Sequence, residues 1–113
     1  MRHVVDSSEP LSEPVFFLLT SLAKEPLHGY ALMKDIEEMS NGRVRLSTGT
    51  LYGALRRLLE WGWIERFATG DTSRDKQAYR LTSLGRRQLQ GEVARLNELS
   101  RVGSARLRIK EAR

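Results

Sequence analysis

Apolar positions recur at helical spacing in four stretches, and they alternate in one region between the third and fourth. Val15, Leu18, Leu19, Leu22 and Ala23 form the first helical stripe. Ser12 is placed to cap that helix, Pro14 is tolerated in its first turn, and Pro26 stops it. Phe16 flanks the stripe and Phe17 lies well off it, so a further helix, from this chain or a partner, is needed to cover them. A second helix is predicted from about Gly29 to Met39, with Tyr30, Met33, Ile36 and Met39 as its apolar face and Asn41-Gly42 as its stop. In this arrangement Tyr30 packs between the first two helices. His28, just before the second helix, is expected to cap it or hydrogen-bond locally. Arg43 to Leu46 alternates polar and apolar, and predicts a short strand.

Ser47 then caps a third helix over about residues 48–60. Leu51, Leu55, Leu58 and Leu59 gather on one side of it, and Thr50, Gly53, Arg56 and Arg57 on the other. Gly62 breaks that helix. Trp63 to Phe67 and Gln77 to Leu81 alternate and predict the two arms of a β-hairpin, with Trp63 filling the junction of strand and helix. The hairpin loop carries Arg74 and Lys76, flanked by Arg66 and Arg80. Thr82 caps a last helix that starts near Ser83 and runs to about Ile109, roughly 40 Å at 1.5 Å per residue. Leu89, Val93, Leu96, Ser100, Gly103 and Leu107 fall on one stripe of it. The early part, Leu84 to Leu89, can pack on the wing domain, but little is left in the chain to cover the later part, so the stripe predicts a partner helix, most simply from a second copy, with Ser100 and Gly103 permitting close approach.

The order helix, helix, short strand, helix, hairpin predicts a mainly α fold with a small β-hairpin. It reads as a winged helix–turn–helix domain over residues 12–82, preceded by a flexible arm over 1–11 and followed by a dimerisation helix and basic tail over 83–113. A chain of 113 residues is only marginally able to bury a core alone, which also favours an oligomer.

Charge sharpens this picture. Residues 1–42 carry three basic and seven acidic side chains, residues 43–87 ten and four, and residues 88–113 six and three. The formal net charge is +5, and 15 of the 19 basic residues are arginine, whose planar fork suits phosphates and base edges. The positive excess thus begins where the third helix and the hairpin begin. A helix face of two guanidiniums, a hydroxyl and a glycine gap fits a major groove, whose width admits one helix. The absence of cysteine excludes disulfides, thiolate metal sites and cysteine nucleophiles. His3 and His28 are the only histidines, so no metal site is expected, and no cofactor is called for. Gly49 to Gly53 lacks the phosphate-loop pattern and its lysine, no nucleophile–base arrangement stands out, and no RNP-type aromatic motif is present. A non-enzyme is therefore expected. No apolar run approaches 18 residues and the N-terminus shows no signal-peptide core, so no membrane span and a cytoplasmic location are expected.

The segments His28-Gly29-Tyr30, Ser47-Thr48-Gly49-Thr50-Leu51-Tyr52, Ala54-Leu55-Arg56-Arg57-Leu58, Gly62-Trp63-Ile64-Glu65 and Tyr79-Arg80-Leu81-Thr82-Ser83-Leu84-Gly85 resemble the PadR family of bacterial transcriptional regulators. The resemblance runs from about residue 15 to residue 90, and the short C-terminal helix is similar to that of its smaller subfamily. It implies a homodimeric repressor that binds a roughly palindromic double-stranded operator and releases it when a small hydrophobic effector binds. It further implies that Ser47, Thr48, Thr50, Tyr52, Arg56 and Arg57 meet the DNA from the third helix, and Arg74 and Lys76 from the wing. Phe16, Phe17, Leu89, Val93, Leu96, Ser100, Gly103 and Leu107 are assigned to the dimer contact. Two departures stand out. Gly53 takes a position that is commonly proline, and no aromatic residue follows Tyr79, so an effector site built on a tryptophan of the last helix is not expected. Phe16, Phe17 and Trp61 are the groups available for one instead. The competing reading is a winged-helix interaction module without operator binding.

Overall fold

A computed structural model describes residues 9–67 and 77–111, with side chains to residue 109. Seven elements follow one another: α1 (Glu13–Lys24), β1 (Leu27–His28), α2 (Gly29–Met39), α3 (Thr48–Trp61), β2 (Ile64–Phe67), β3 (Ala78–Leu81) and α4 (Ser83–Glu111). The fold is mainly helical with a small three-stranded sheet and a long last helix, which is a winged helix–turn–helix followed by a helix suited to dimerisation.

The helix ends follow the capping chemistry of the sequence. The Ser12 hydroxyl accepts from the Val15 amide, and Pro14 sits in the first turn of α1. The Ser47 hydroxyl accepts from the Thr50 amide at 3.1 Å and opens α3. Gly62 closes α3 at φ 76°, a left-handed backbone that costs glycine little. His28 occupies the N-cap position of α2, but its side chain makes no capping bond.

Three expectations need correction. Residues 43–46 form no strand. After the left-handed turn at Asn41 and Gly42, the Val44 amide donates to the Ser40 hydroxyl at 2.9 Å, so a side chain satisfies that backbone locally. The third strand is β1 instead, which pairs antiparallel with β3 through Leu27 opposite Tyr79 and His28 opposite Ala78. It follows Pro26, whose fixed φ favours extended backbone around it, and it gives the outer edge of β3 a partner. The sheet order is β1-β3-β2, with Ile64 opposite Leu81 and Phe67 opposite Ala78 across the hairpin. The second correction concerns α2. Leu32 and Ile36 form its buried face with Gly29, whereas Tyr30 is 70% exposed. The third concerns Leu89. It is only 9% exposed and belongs to the chain's own core, so the open stripe of α4 begins at Val93.

The core is a single cluster drawn from every helix and from the sheet. Leu18, Leu19 and Leu22 of α1 meet Leu32 and Ile36 of α2, Leu51, Leu55 and Leu58 of α3, and Ile64 and Tyr79 of the sheet. Burial raises the pKa of the Tyr79 phenol, with the nearby Tyr52 adding to the rise and Arg66 opposing it, so the ring stays neutral in the core. Trp63 is buried at the strand–helix junction, and its ring lies 5.0 Å from that of Trp61.

Two polar devices fix α4 on this core. At its start, the Thr82 amide donates to the Trp63 carbonyl at 3.1 Å and the Thr82 hydroxyl donates to the Gly62 carbonyl at 2.6 Å. The same hydroxyl accepts from the Gly85 amide at 3.0 Å. The Trp63 carbonyl also presses on the Cα of Gly85, where a Cβ would overlap it. Two turns further on, Glu92 is buried. It accepts from Arg95 in a two-point fork, at 2.9 and 2.7 Å, and from the Leu11 amide at 3.2 Å. Leu11, at the end of the N-terminal arm, is thereby held against α4.

Two predictions follow from these devices. Gly85→Ala gains up to about 1 kcal/mol of helix propensity, yet forces the junction apart. We expect a net loss of about 1–3 kcal/mol in urea denaturation; a neutral or stabilised variant would show that the junction opens without cost. Hydrogen bonding from Arg95 is the main cause that holds the Glu92 carboxyl below its ordinary pKa, opposed by burial and helped by the Leu11 amide. A depressed folded-state pKa means the contribution is complete above the ordinary carboxylate range and is lost as pH falls through the lowered value. Glu92→Gln should therefore cost about 1.5–3 kcal/mol near pH 7, with the gap to the native chain closing in acid. A gap independent of pH would remove the carboxylate from the account.

Candidate nucleic-acid interface

Helices α2 and α3 are the helix–turn–helix pair, and α3 carries the candidate reading face. Its inner side is Leu51, Ala54, Leu55 and Leu58, all buried. Because these residues seat the helix on the core, its opposite side must face outward. Ser47, Thr48 and Thr50 are exposed at its start, with the Ser47 hydroxyl also donating to the Thr50 hydroxyl at 3.0 Å. Arg56 and Arg57 are exposed one turn beyond Gly53. Apart from its chain neighbours and the backbone of its own helix, no heavy atom lies within 4 Å of where a Gly53 Cβ would stand, so this face is open between its hydroxyl end and its guanidinium end.

Tyr52 differs from the others. It is half-buried on the flank of α3, and its phenol lies over Gly29 at the start of α2, where a Cβ would overlap the Tyr52 oxygen. A glycine between His28 and Tyr30 is thus what lets the Tyr52 ring sit between the two helices. That contact sets the spacing of their N-terminal ends.

The arginines divide into paired and unpaired groups. Arg43 pairs with Glu13, Arg45 with Glu37 at 3.0 Å, and Arg80 with Glu65 at 2.7 Å while also lying over the Phe67 ring. Arg66 donates to the Gln77 side chain at 3.2 Å. Arg56 and Arg57 pair with no carboxylate among the described residues. Exposed pairs cost little to exchange for a phosphate, but an unpaired guanidinium is available without any exchange. Arg56 and Arg57 therefore offer unexchanged positive charge on α3, as do the exposed Arg86, Arg87, Arg106 and Arg108 on α4, which also pair with no carboxylate among the described residues. Arg74 and Lys76 of the wing loop lie outside the described residues.

The proposed dimer contacts lie on α1 and α4. Phe16 and Phe17 are half-buried and meet edge to face, with ring centroids 5.8 Å apart. With Leu11 and Leu96 they line a groove of about 370 Å³ between α1 and α4, rimmed by the Glu13–Arg43 and Glu92–Arg95 pairs. Beyond it Val93, Leu96, Ser100, Gly103 and Leu107 are exposed along α4. Leu99, Val102 and Ile109 are exposed as well and extend the apolar surface past the stripe read from the sequence. Their spacing of three and seven residues carried that signal. Among the described residues no group of three or more His, Asp or Glu side chains is placed to hold a metal, and no helix is long and apolar enough to cross a membrane.

A family model described as the Transcriptional regulator PadR-like family matches residues 18–91. This chain belongs to that family. Its members are regulators and not enzymes, and this chain is a PadR-like DNA-binding transcriptional regulator. Among solved structures it is similar to a PadR family transcription regulator from Clostridium difficile, with a TM-score of 0.69 and 21% identity over 85% of this chain and 99% of that one. It is also similar to Bacillus subtilis PadR, solved in complex with operator DNA, with a TM-score of 0.58 and 25% identity over 67% of this chain and 44% of that one. A 41-residue stretch is 54% identical to an uncharacterized 37.1 kDa protein in transposon TN4556 of Streptomyces fradiae; it covers 36% of this chain but 11% of that protein.

The open face gives a test with two opposed signs. Gly53→Ala should stabilise the PadR-like chain by up to about 1 kcal/mol in urea denaturation, since the methyl meets nothing and the helix gains propensity. The same methyl should weaken duplex binding, because it stands on the face held to approach the groove. Unaltered binding would place Gly53 away from the DNA.

Proposed function

We propose that this chain is a dimeric transcriptional repressor that reads a roughly palindromic operator through α3 and releases it when a small hydrophobic effector binds. The observation that carries the proposal is the face of α3. Two unpaired guanidiniums and an exposed hydroxyl cluster flank an open glycine, on a helix held rigidly by a leucine face. An open face lets the helix enter a groove that admits only one, and guanidiniums suit the phosphates beside it and the guanine acceptors within it. That the similar B. subtilis PadR was solved in complex with operator DNA supports a DNA-binding reading of this fold.

In this reading Ser47, Thr48 and Thr50 approach the phosphates and base edges at the start of α3. Arg56 reads a guanine edge or phosphate, Arg57 holds backbone, and Tyr52 sets the helix spacing with its exposed edge toward the DNA. Arg74 and Lys76 take the wing to the neighbouring backbone. Two copies pair along Val93, Leu96, Ser100, Gly103 and Leu107, with Phe16 and Phe17 beside them. A two-fold pair predicts half-sites about 34 Å apart or a multiple of that. The groove at Phe16 and Phe17 has the apolar floor that an effector needs, and its size is in the range of small-ligand sites.

The experiment is selection of bound duplexes from fragmented host genomic DNA at about 150 mM salt with excess competitor, since charge alone gives binding of roughly 10⁻⁴–10⁻⁶ M. One enriched palindromic sequence is expected. No enrichment from a folded dimer would instead favour an interaction module. With the selected duplex, Arg56→Ala should cost about 1–3 kcal/mol on the cognate sequence and less on a scrambled one. Lys76→Ala should lower the slope of log affinity against log salt by about one. An equal loss on both duplexes would make Arg56 a backbone contact, and an unchanged slope would take the wing off the DNA.

A further inference from the structure

We propose that Tyr30 and Lys34 of α2 form a second phosphate contact, gripping the DNA backbone on the wall of the groove that α3 enters. The inference rests on the DNA-binding reading above and adds residues from a different helix. Tyr30 occupies a position whose spacing predicts burial, yet Leu32 and Ile36 fill the core and leave its ring 70% exposed. An exposed aromatic with no packing task is a candidate for contact with something outside the chain. The Lys34 ammonium lies one turn on, 5.8 Å from the centre of the Tyr30 ring, so hydroxyl and cation are presented together. Lys34 pairs with no carboxylate among the described residues.

Position selects the occupant. Gly29, the residue before Tyr30, touches the Tyr52 phenol on α3. Tyr30 therefore stands at the point where α2 meets the flank of the reading helix, and Arg56 follows Tyr52 by one turn on that flank. When a recognition helix lies in the major groove, the helix before it crosses the backbone. A tyrosine hydroxyl that donates to a phosphate oxygen and a lysine ammonium beside it suit that wall. The charge along α2 agrees. Tyr30, Lys34, Glu37 and Glu38 share its outer face, with the cation near the start, both glutamates in the last turn, and Glu37 occupied by Arg45. A polyanion is admitted at the Tyr30 end and repelled at the other.

The test uses the full chain with two duplexes of about 30 base pairs, one random and one selected, titrated between about 50 and 200 mM salt. Thermal unfolding serves as the folding control. Tyr30→Phe keeps the ring and removes only the hydroxyl. It should weaken both duplexes by the same factor, roughly threefold to tenfold, leaving the ratio between them and the unfolding midpoint unchanged. Lys34→Gln should lower the salt slope by about one. Unchanged affinity and slope in both variants, with the native chain binding normally, would overturn the proposal. So would a loss confined to the selected duplex, which would make Tyr30 a base reader, or a loss in Tyr30→Ala that Tyr30→Phe does not share, which would assign the effect to the ring. Absence of duplex binding by the native chain would overturn it together with the DNA-binding reading, and is told apart from the other outcomes by that control.

Discussion

The junction at Gly62, Trp63, Thr82 and Gly85 holds the molecule in its functional shape. Four elements meet there: α3 ends at Gly62, β2 begins beyond Trp63, β3 ends before Thr82, and α4 begins after it. A single threonine hydroxyl donates to the Gly62 carbonyl and accepts from the Gly85 amide, so it closes one helix end while opening another. The Trp63 carbonyl accepts from the Thr82 amide and occupies the space a Gly85 side chain would need. Each part constrains the next. A left-handed residue is needed to turn the chain out of α3, a small residue to let α4 approach, and a hydroxyl to serve the orphan groups of both helix ends. The last two resembling segments of the sequence, at 62–65 and 79–85, are thus halves of one physical contact.

Much of this was legible in the sequence, for identifiable reasons. Caps at Ser12, Ser47 and Thr82, the glycine stop at 62 and the leucine face of α3 are local or periodic signals, and each appears in the structure where the residues place it. The failures are those in which tertiary competition decides. Residues 43–46 alternate like a strand, but the Ser40 hydroxyl takes the Val44 amide and Leu27-His28 takes the free edge of β3. Nothing local distinguishes a two-residue strand from a loop. Tyr30 lies three residues from Met33 and fits an apolar stripe, but Leu32 fills the site and one more large ring has nowhere to go. Leu89 could be read either as packing on the domain or as joining the stripe of Val93, and the packing of α4 decides for the chain's own core.

The candidate site was legible in its residue types and hidden in its charges. Composition shows an arginine excess from residue 43 onward, yet a count treats all guanidiniums alike. Folding sorts them. Arg43, Arg45 and Arg80 acquire carboxylates from distant parts of the sequence, while Arg56 and Arg57 keep none among the described residues. Glu13 and Glu37, from the acidic N-terminal third, thus neutralise the arginines at the turn before α3 and leave Arg56 and Arg57 as the next unpaired charges along the chain. Such sorting raises the contrast of the local field more than it alters the net charge, and contrast is what orients a protein on a polyanion.

The direct joint between wing and α4 also bears on how release would work. One residue, Thr82, separates β3 from α4, and its bonds leave no flexible linker. If two copies pair along α4, the angle between those helices fixes the separation of the two α3 helices, and a small rotation is magnified over a lever of 29 residues. The groove at Phe16 and Phe17 lies between α1 and α4, close to the buried Glu92–Arg95 fork and the Leu11 amide that it holds. A molecule entering that groove would press on α4 near its attachment to the domain, where displacement changes its angle most. Packed interfaces shift between discrete arrangements and do not deform smoothly. An effector would thus need no contact with the reading helix: a changed angle between the two α4 helices would put both α3 faces out of register with grooves spaced by the helical turn of DNA.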